Sequence, residues 1–118
     1  MSTLAVDNLK PSAGGTEFGI GGVAKAWINF NGTGVLDIKH SLNVTSVTDS
    51  GLGDYDTNYT NPLASADLAP SASHYAAGAL SAVLVLEINT SYHRTFTFNN
   101  GGAIDSAIVT NIVLGDLA

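Results

Sequence analysis

A chain of 118 residues with net charge −6 and four lysine plus arginine residues is one domain without the basic footprint that nucleic acid demands. The same sign disfavours an anionic membrane surface, and no window approaches the ~20 apolar residues of a membrane-spanning helix. Charged residues are 12% and hydrophobic residues 45%, a balance that suits subunits hiding apolar faces from one another.

Without cysteine there is no disulfide, and the redox compartment is left undetermined. Met1 to Asp7 has no basic region and no apolar run of signal-peptide length, so synthesis in the cytoplasm is expected. Residues 1–23 read as an arm and residues 24–118 as a β domain. In the arm, Leu4, Val6 and Leu9 form one short apolar stripe. Pro11 and the five glycines from Gly14 to Gly22 then interrupt the chain. Such a segment is either a disordered tail or a docking arm that orders on a partner. Gly19-Ile20-Gly21-Gly22 lacks the third glycine and the preceding strand of a dinucleotide loop.

Ala24 to Phe30 alternates and reads as the first strand, with Ala26, Ile28 and Phe30 on one face and Lys25, Trp27 and Asn29 on the other. Asn31-Gly32 supplies the reversal. Further strands are expected at Val35–His40, Val44–Thr48 and Tyr55–Thr60, with Asp49 to Asp54 as a turn. Residues 63–73 contain Pro70 and read as a loop or a broken edge strand. A short strand at Tyr75–Ala79 follows, then Ala82–Ile88, apolar on both faces until Glu87. Arg94 to Phe98 alternates with its phenylalanines inward, and Asn99-Asn100-Gly101-Gly102 is the strongest hairpin signal. The last strand, Ala107–Leu114, is again mostly apolar on both faces. Short strands joined by Gly/Asn/Asp turns indicate a small all-β fold, an antiparallel, jelly-roll-like β-sandwich behind a flexible N-terminal arm. One small sandwich has one interior, so the doubly apolar strands assign Val83, Val85, Ile108 and Ile112 to an oligomer interface. Trp27 is expected to cover a neighbouring strand or subunit rather than to bind a sugar.

Chemistry is sparse. Asp54, Asp56 and Asn58 share the spacing that opens a calcium loop, but Tyr59 stands where its glycine belongs and Ser65 where its last acid belongs. On a strand these three residues line one solvated face instead. His40, His74 and His93 form no ligand pair; His40 reads as a core histidine and His93 as a strand-end or interface group. No nucleophile motif is present, so no catalytic residue, metal or cofactor is assigned. Four Asn-x-Ser/Thr sequences carry little meaning without a secretory signal.

The run Ala24-Lys25-Ala26-Trp27-Ile28-Asn29-Phe30-Asn31-Gly32-Thr33-Gly34 resembles a motif of fibre-type virion surface proteins of tailed bacteriophages, in particular tail-fibre proteins of marine and cyanobacterial phages. The likeness continues through Leu42–Gly51, Gly53-Asp54-Tyr55 and Asn61–Asp67, and includes Ser2–Leu9. The second half matches only as a pattern of strands. The more polar Asp56-Thr57-Asn58 strand and Pro70 depart from the family pattern and bear on local pairing. The resemblance implies a trimeric module on the virion, made in the host cytoplasm and involved in host attachment. Its partners would be copies of itself, other virion proteins and a host cell-surface glycan or protein. Recognition is then expected in loops, with Asp49, Asp54, Asn99 and Asn100 as candidates, and anchoring in Leu4, Val6 and Leu9. The alternative is a capsid decoration protein anchored by the same arm.

Overall fold

The computed structural model describes residues 2–10, 13–16, 18–19, 23–75 and 80–118. Two short strands lie in the arm, β1 (Asn8–Leu9) and β2 (Phe18–Gly19), paired antiparallel. The domain follows with β3 (Ala24–Asn31), β4 (Asp37–Leu42), β5 (Val44–Gly51), β6 (Asp54–Tyr59) and β7 (Ala69–Tyr75). Then come β8 (Ser81–Leu86), β9 (Tyr92–Asn99), β10 (Gly102–Ala103) and β11 (Ile108–Leu114). Of the expected strand at Tyr75–Ala79, only Tyr75 belongs to the described residues, where it ends β7.

Alternation drives β3 as expected: Ala26, Ile28 and Phe30 are buried, and the residues between them are half-buried. The strands form an antiparallel sandwich. The first sheet has the order β4-β3-β11-β7. In the second, β9 pairs with β8 along one side and with β6 and then β10 along the other, and β5 lies outside β6. The chain crosses between sheets four times, from β4 to β5, β6 to β7, β7 to β8 and β10 to β11, and the β4–β5 and β7–β8 crossings lie at opposite sides of the sandwich. Asn43 makes the first crossing with φ 55°, a conformation asparagine tolerates better than most residues. Its amide locks the crossing, accepting from the Asn61 N–H at 2.7 Å and donating to the Asn61 carbonyl at 3.0 Å. Pro70 sits on β7 at the edge of its sheet, where a missing N–H costs no ladder bond.

The interior has two apolar clusters. Ala26, Tyr59, Leu63 and Val113 pack toward the end where the arm enters. Ile28, Phe30, Tyr55 and Val109 pack toward the other end. Buried Thr57, His93 and Asn111 lie between them along β6, β9 and β11, and Asn111 Nδ2 donates to Thr57 Oγ1 across the sheets at 3.2 Å.

Two faces differ from the sequence expectation. On β9, His93, Thr95 and Thr97 are buried, and Phe96 and Phe98 lie on the outer face. The interior beside them already holds the Phe30 and Tyr55 rings, edge to face with centroids 5.1 Å apart, and threonine-sized groups fit the remaining space. On β4, a register break opposite Asn29/Phe30 inserts Lys39 as an extra residue. That shift turns His40 outward, exposed and edge-on to Trp27 at 5.0 Å, so it is not a core histidine.

Candidate functional site

Strand directions sort the connections into two ends. β3, β5, β7 and β9 run away from the arm, and β4, β6, β8 and β11 return. The far end therefore gathers the β3–β4 turn, the β5–β6 turn, the β9–β10 turn and residues 104–106. The arm end gathers Val23, the β4–β5 crossing, residues 60–68, residues 87–91 and the C-terminal Leu117.

The far end is clamped. Asp105 Oδ1 accepts from the Gly53 N–H at 2.8 Å and from the Tyr55 hydroxyl at 3.0 Å. Gly32 N–H donates to the Ser106 carbonyl at 2.8 Å, and Thr97 N–H to the Gly53 carbonyl at 2.9 Å. Ser106 Oγ lies 2.6 Å from His74 Nδ1 on β7. Burial, reinforced by the Asp105 carboxylate, pushes the Tyr55 phenol far above its usual range and keeps it a neutral donor. Two glycines permit this closeness. A Cβ on Gly32 would meet the Tyr55 hydroxyl at 2.3 Å, and one on Gly53 would meet the Thr97 carbonyl oxygen at 2.5 Å.

The β3–β4 and β5–β6 turns, and Leu80 just before β8, hold apolar side chains in water. Val35 is 91% exposed, Leu52 62% and Leu80 82%. Asp49 and Asn100 are exposed beside them, and Asn99 is half-buried. Asp49 Oδ1 accepts from Gly51 N–H and Asn99 Oδ1 from Gly101 N–H, so both side chains shape their turns. Leu80, Phe98, Asn99 and Asn100 line a shallow depression of about 230 Å³. This depression is below the size of ordinary small-ligand pockets.

Asp54, expected among the recognition loops, is not available there. It opens β6, is 7% exposed and takes a bidentate contact from Arg94, with Nε at 2.7 Å from Oδ1. Arg94 Nη1 also donates to Glu87 Oε1 at 2.9 Å, and the guanidinium lies 5.1 Å from the Phe96 ring centroid. The Asp54 contact, ahead of Glu87, raises the Arg94 pKa still further. Of the residues spaced like the start of a calcium loop, Asp54 and Asp56 thus face an arginine, and Asn58 donates to Ser46 Oγ and Thr48 Oγ1 instead. No group of three or more metal-ligating side chains occurs among the described residues.

His93 is another correction. It is fully buried, its Nδ1 lies 2.8 Å from the Tyr59 hydroxyl, and burial lowers its pKa to about 4. It is a neutral core group, not a strand-end one.

At the arm end, Leu4 is 86% exposed and Val6 40%. Leu9 pairs with Phe18 through the backbone, and its side chain lies outside the described part of the molecule. Thr3–Asp7, Val23 and Lys25 line an open groove of about 640 Å³. A second groove of about 370 Å³ runs between Ala24, Leu42, Asn61 and Leu117.

Of the expected interface residues, Ile108 (47% exposed) and Ile112 (51%) face outward on β11. Val83 and Val85 are half-buried and share the inward side of their paired residues Thr97 and Thr95; Leu84 and Leu86 face out in their place. A run apolar on both faces does not reveal which parity points inward. Val35 and Leu52 were missed as tips. The available signal was an apolar residue beside turn glycines, in Gly34-Val35 and Gly51-Leu52-Gly53. No protein-family model, no curated protein and no solved structure matches this chain.

Proposed function

We propose that this chain is a structural protein of a bacteriophage virion, a trimeric, tail-fibre-like module that contacts the host surface. The sequence resemblance of residues 1–67 motivates the reading. The observation that carries it is the separation of the two ends. A tip that meets a host and a base that meets a particle need opposite poles. The far end with Val35, Leu52, Asp49 and Asn100 supplies one pole, and the arm with exposed Leu4 and Val6 supplies the other. Rigid turns limit the ordering entropy lost on contact with a host glycan or protein. The grooves beside the arm suit an extended segment of another virion protein.

The arm equally suits a decoration protein on a capsid shell, and location separates the two. Immunogold labelling of purified particles is expected to mark the tail. Label over the head selects the decoration reading, and unlabelled particles overturn both. Screening the protein against a panel of bacterial surface glycans then tests recognition by the far end.

A further inference from the structure

Two asparagines of this chain are followed directly by glycine, in Asn31-Gly32 and Asn100-Gly101. An asparagine so placed can react with its own backbone, because the next amide nitrogen can reach the side-chain carbonyl carbon when no neighbouring side chain crowds the approach. The other asparagines precede Leu, Phe, Val, Tyr, Pro, Thr, Asn or Ile, each of which puts a side chain in the way.

The fold treats the two pairs differently. Asn31 closes β3 opposite Asp37. Gly32 is buried, its N–H donates to the Ser106 carbonyl at 2.8 Å, and its carbonyl accepts from the Tyr55 hydroxyl at 3.4 Å. The Asn31 carboxamide is held as well, since Oδ1 accepts from the Thr33 N–H at 2.9 Å and from the Thr33 hydroxyl at 2.7 Å. For the Gly32 nitrogen to turn toward Asn31 Cγ, the Tyr55 ring packed on Gly32 has to move and the far-end clamp has to open. Asn100 and Gly101, in contrast, form the two-residue link between β9 and β10, and both are exposed. The Asn100 carboxamide makes no hydrogen bond among the described residues. The Gly101 N–H donates to Asn99 Oδ1 at 2.8 Å, a bond between near neighbours at the surface, where water replaces the acceptor. Gly102 follows with open space around it, and β10 is two residues long, so this end of the hairpin can open while the sandwich stays folded.

We propose that Asn100 is a site of spontaneous deamidation and isoaspartate formation, and that the far-end clamp protects Asn31 from the same reaction. Base takes the Gly101 amide proton, and the nitrogen bonds to Asn100 Cγ. The bond from Cγ to the side-chain nitrogen breaks and ammonia leaves. Water then opens the five-membered succinimide. Opening at Cγ gives aspartate, and opening at the main-chain carbonyl gives isoaspartate, with the backbone rerouted through Cβ and Cγ. Either product adds one negative charge to a chain of net charge −6, beside the shallow depression lined by Leu80, Phe98 and Asn99. Isoaspartate also lengthens the β9–β10 link by one backbone carbon. The reaction needs this chain and water alone, so it stands or falls separately from the virion role.

The full-length protein is kept in warm, mildly alkaline buffer made with heavy-oxygen water, either folded or in urea. Its peptides are then sequenced by electron-transfer mass spectrometry, which distinguishes aspartate from isoaspartate. In the folded chain Asn100 is expected to convert at least about tenfold faster than Asn31, with labelled isoaspartate as the major product, and in urea the two rates should come within about threefold. Gly101→Ala places a Cβ 3.3 Å from Asn99 Oδ1, a side-chain atom that can shift, and is expected to slow conversion of Asn100 by about tenfold with circular dichroism unchanged. Equal survival of Asn100 and Asn31 in the folded chain, aspartate without isoaspartate, an Asn31 that stays intact in urea, or a Gly101→Ala variant that converts as fast as the parent overturns the inference.

Discussion

The two ends of the sandwich are built by opposite rules. At the far end, buried Tyr55, Asp105 and two glycines with no room for a Cβ hold the β3–β4 and β5–β6 turns against residues 104–106. At the arm end, two short strands pair through two residues each, and Leu4 and Val6 stand in water. The molecule measures 50 × 27 × 27 Å, and an eight-residue strand spans only about 27 Å, so turns and arm extend its long axis. A segment that folds on its partner leaves its apolar groups exposed until then.

Substitution of glycine breaks this contrast most sharply. Gly53 has φ +66°, and a Cβ there meets two carbonyl oxygens at 2.5 and 2.7 Å. Gly53→Ala is expected to cost about 3–4 kcal/mol in denaturant unfolding. Gly14 in the arm has open space around it, and Gly14→Ala is expected to leave the domain's unfolding midpoint unchanged.

Acid acts next, and on the middle of the sandwich. Above about pH 6.5, His93 is neutral folded and unfolded. Between there and its folded value of about 4, only the unfolded chain takes the proton, so stability falls as pH drops. Below that value both states are protonated and the loss stops. The loss is about 3 kcal/mol over this window, and His93→Asn is expected to flatten it in unfolding curves collected from pH 7 to pH 4.

Tyr55→Phe is a smaller perturbation that keeps the ring and removes one hydrogen bond to Asp105. About 1–2 kcal/mol of stability is expected to be lost. Faster hydrogen exchange should be confined to the far-end turns and spare the arm.

The sandwich was legible because strand alternation and turn residues are local signals. Ala24–Asn31 and the Asn99–Gly102 hairpin formed where their patterns indicated. The parity of β9 was not legible, since Thr-Phe-Thr-Phe alternates equally well either way and the Tyr55 and Phe30 rings decide it from other strands. The side of His40 depended on a bulge opposite Asn29/Phe30, which no local pattern in Val35–His40 announces. At the candidate site, Asn100 lies in a turn, whereas Asp49 belongs to β5 and Asn99 closes β9, because strand pairing runs further into both turns than the Asp, Asn and Gly residues suggest. Asp54 misled because its partner Arg94 lies 40 residues away.

Removal of the arm is expected to have the smallest effect on stability and the largest on location. A chain lacking residues 2–22 keeps every strand from β3 to β11, so its melting temperature should match that of the full chain within about 2 °C. The decisive measurement compares both chains by immunoblot on particles purified from cells producing one or the other. Full-length chain on the particles with the truncated chain absent is the expected result. Equal amounts of both would contradict an anchor in Leu4 and Val6, and a truncated chain that fails to fold would make the arm part of the domain's core.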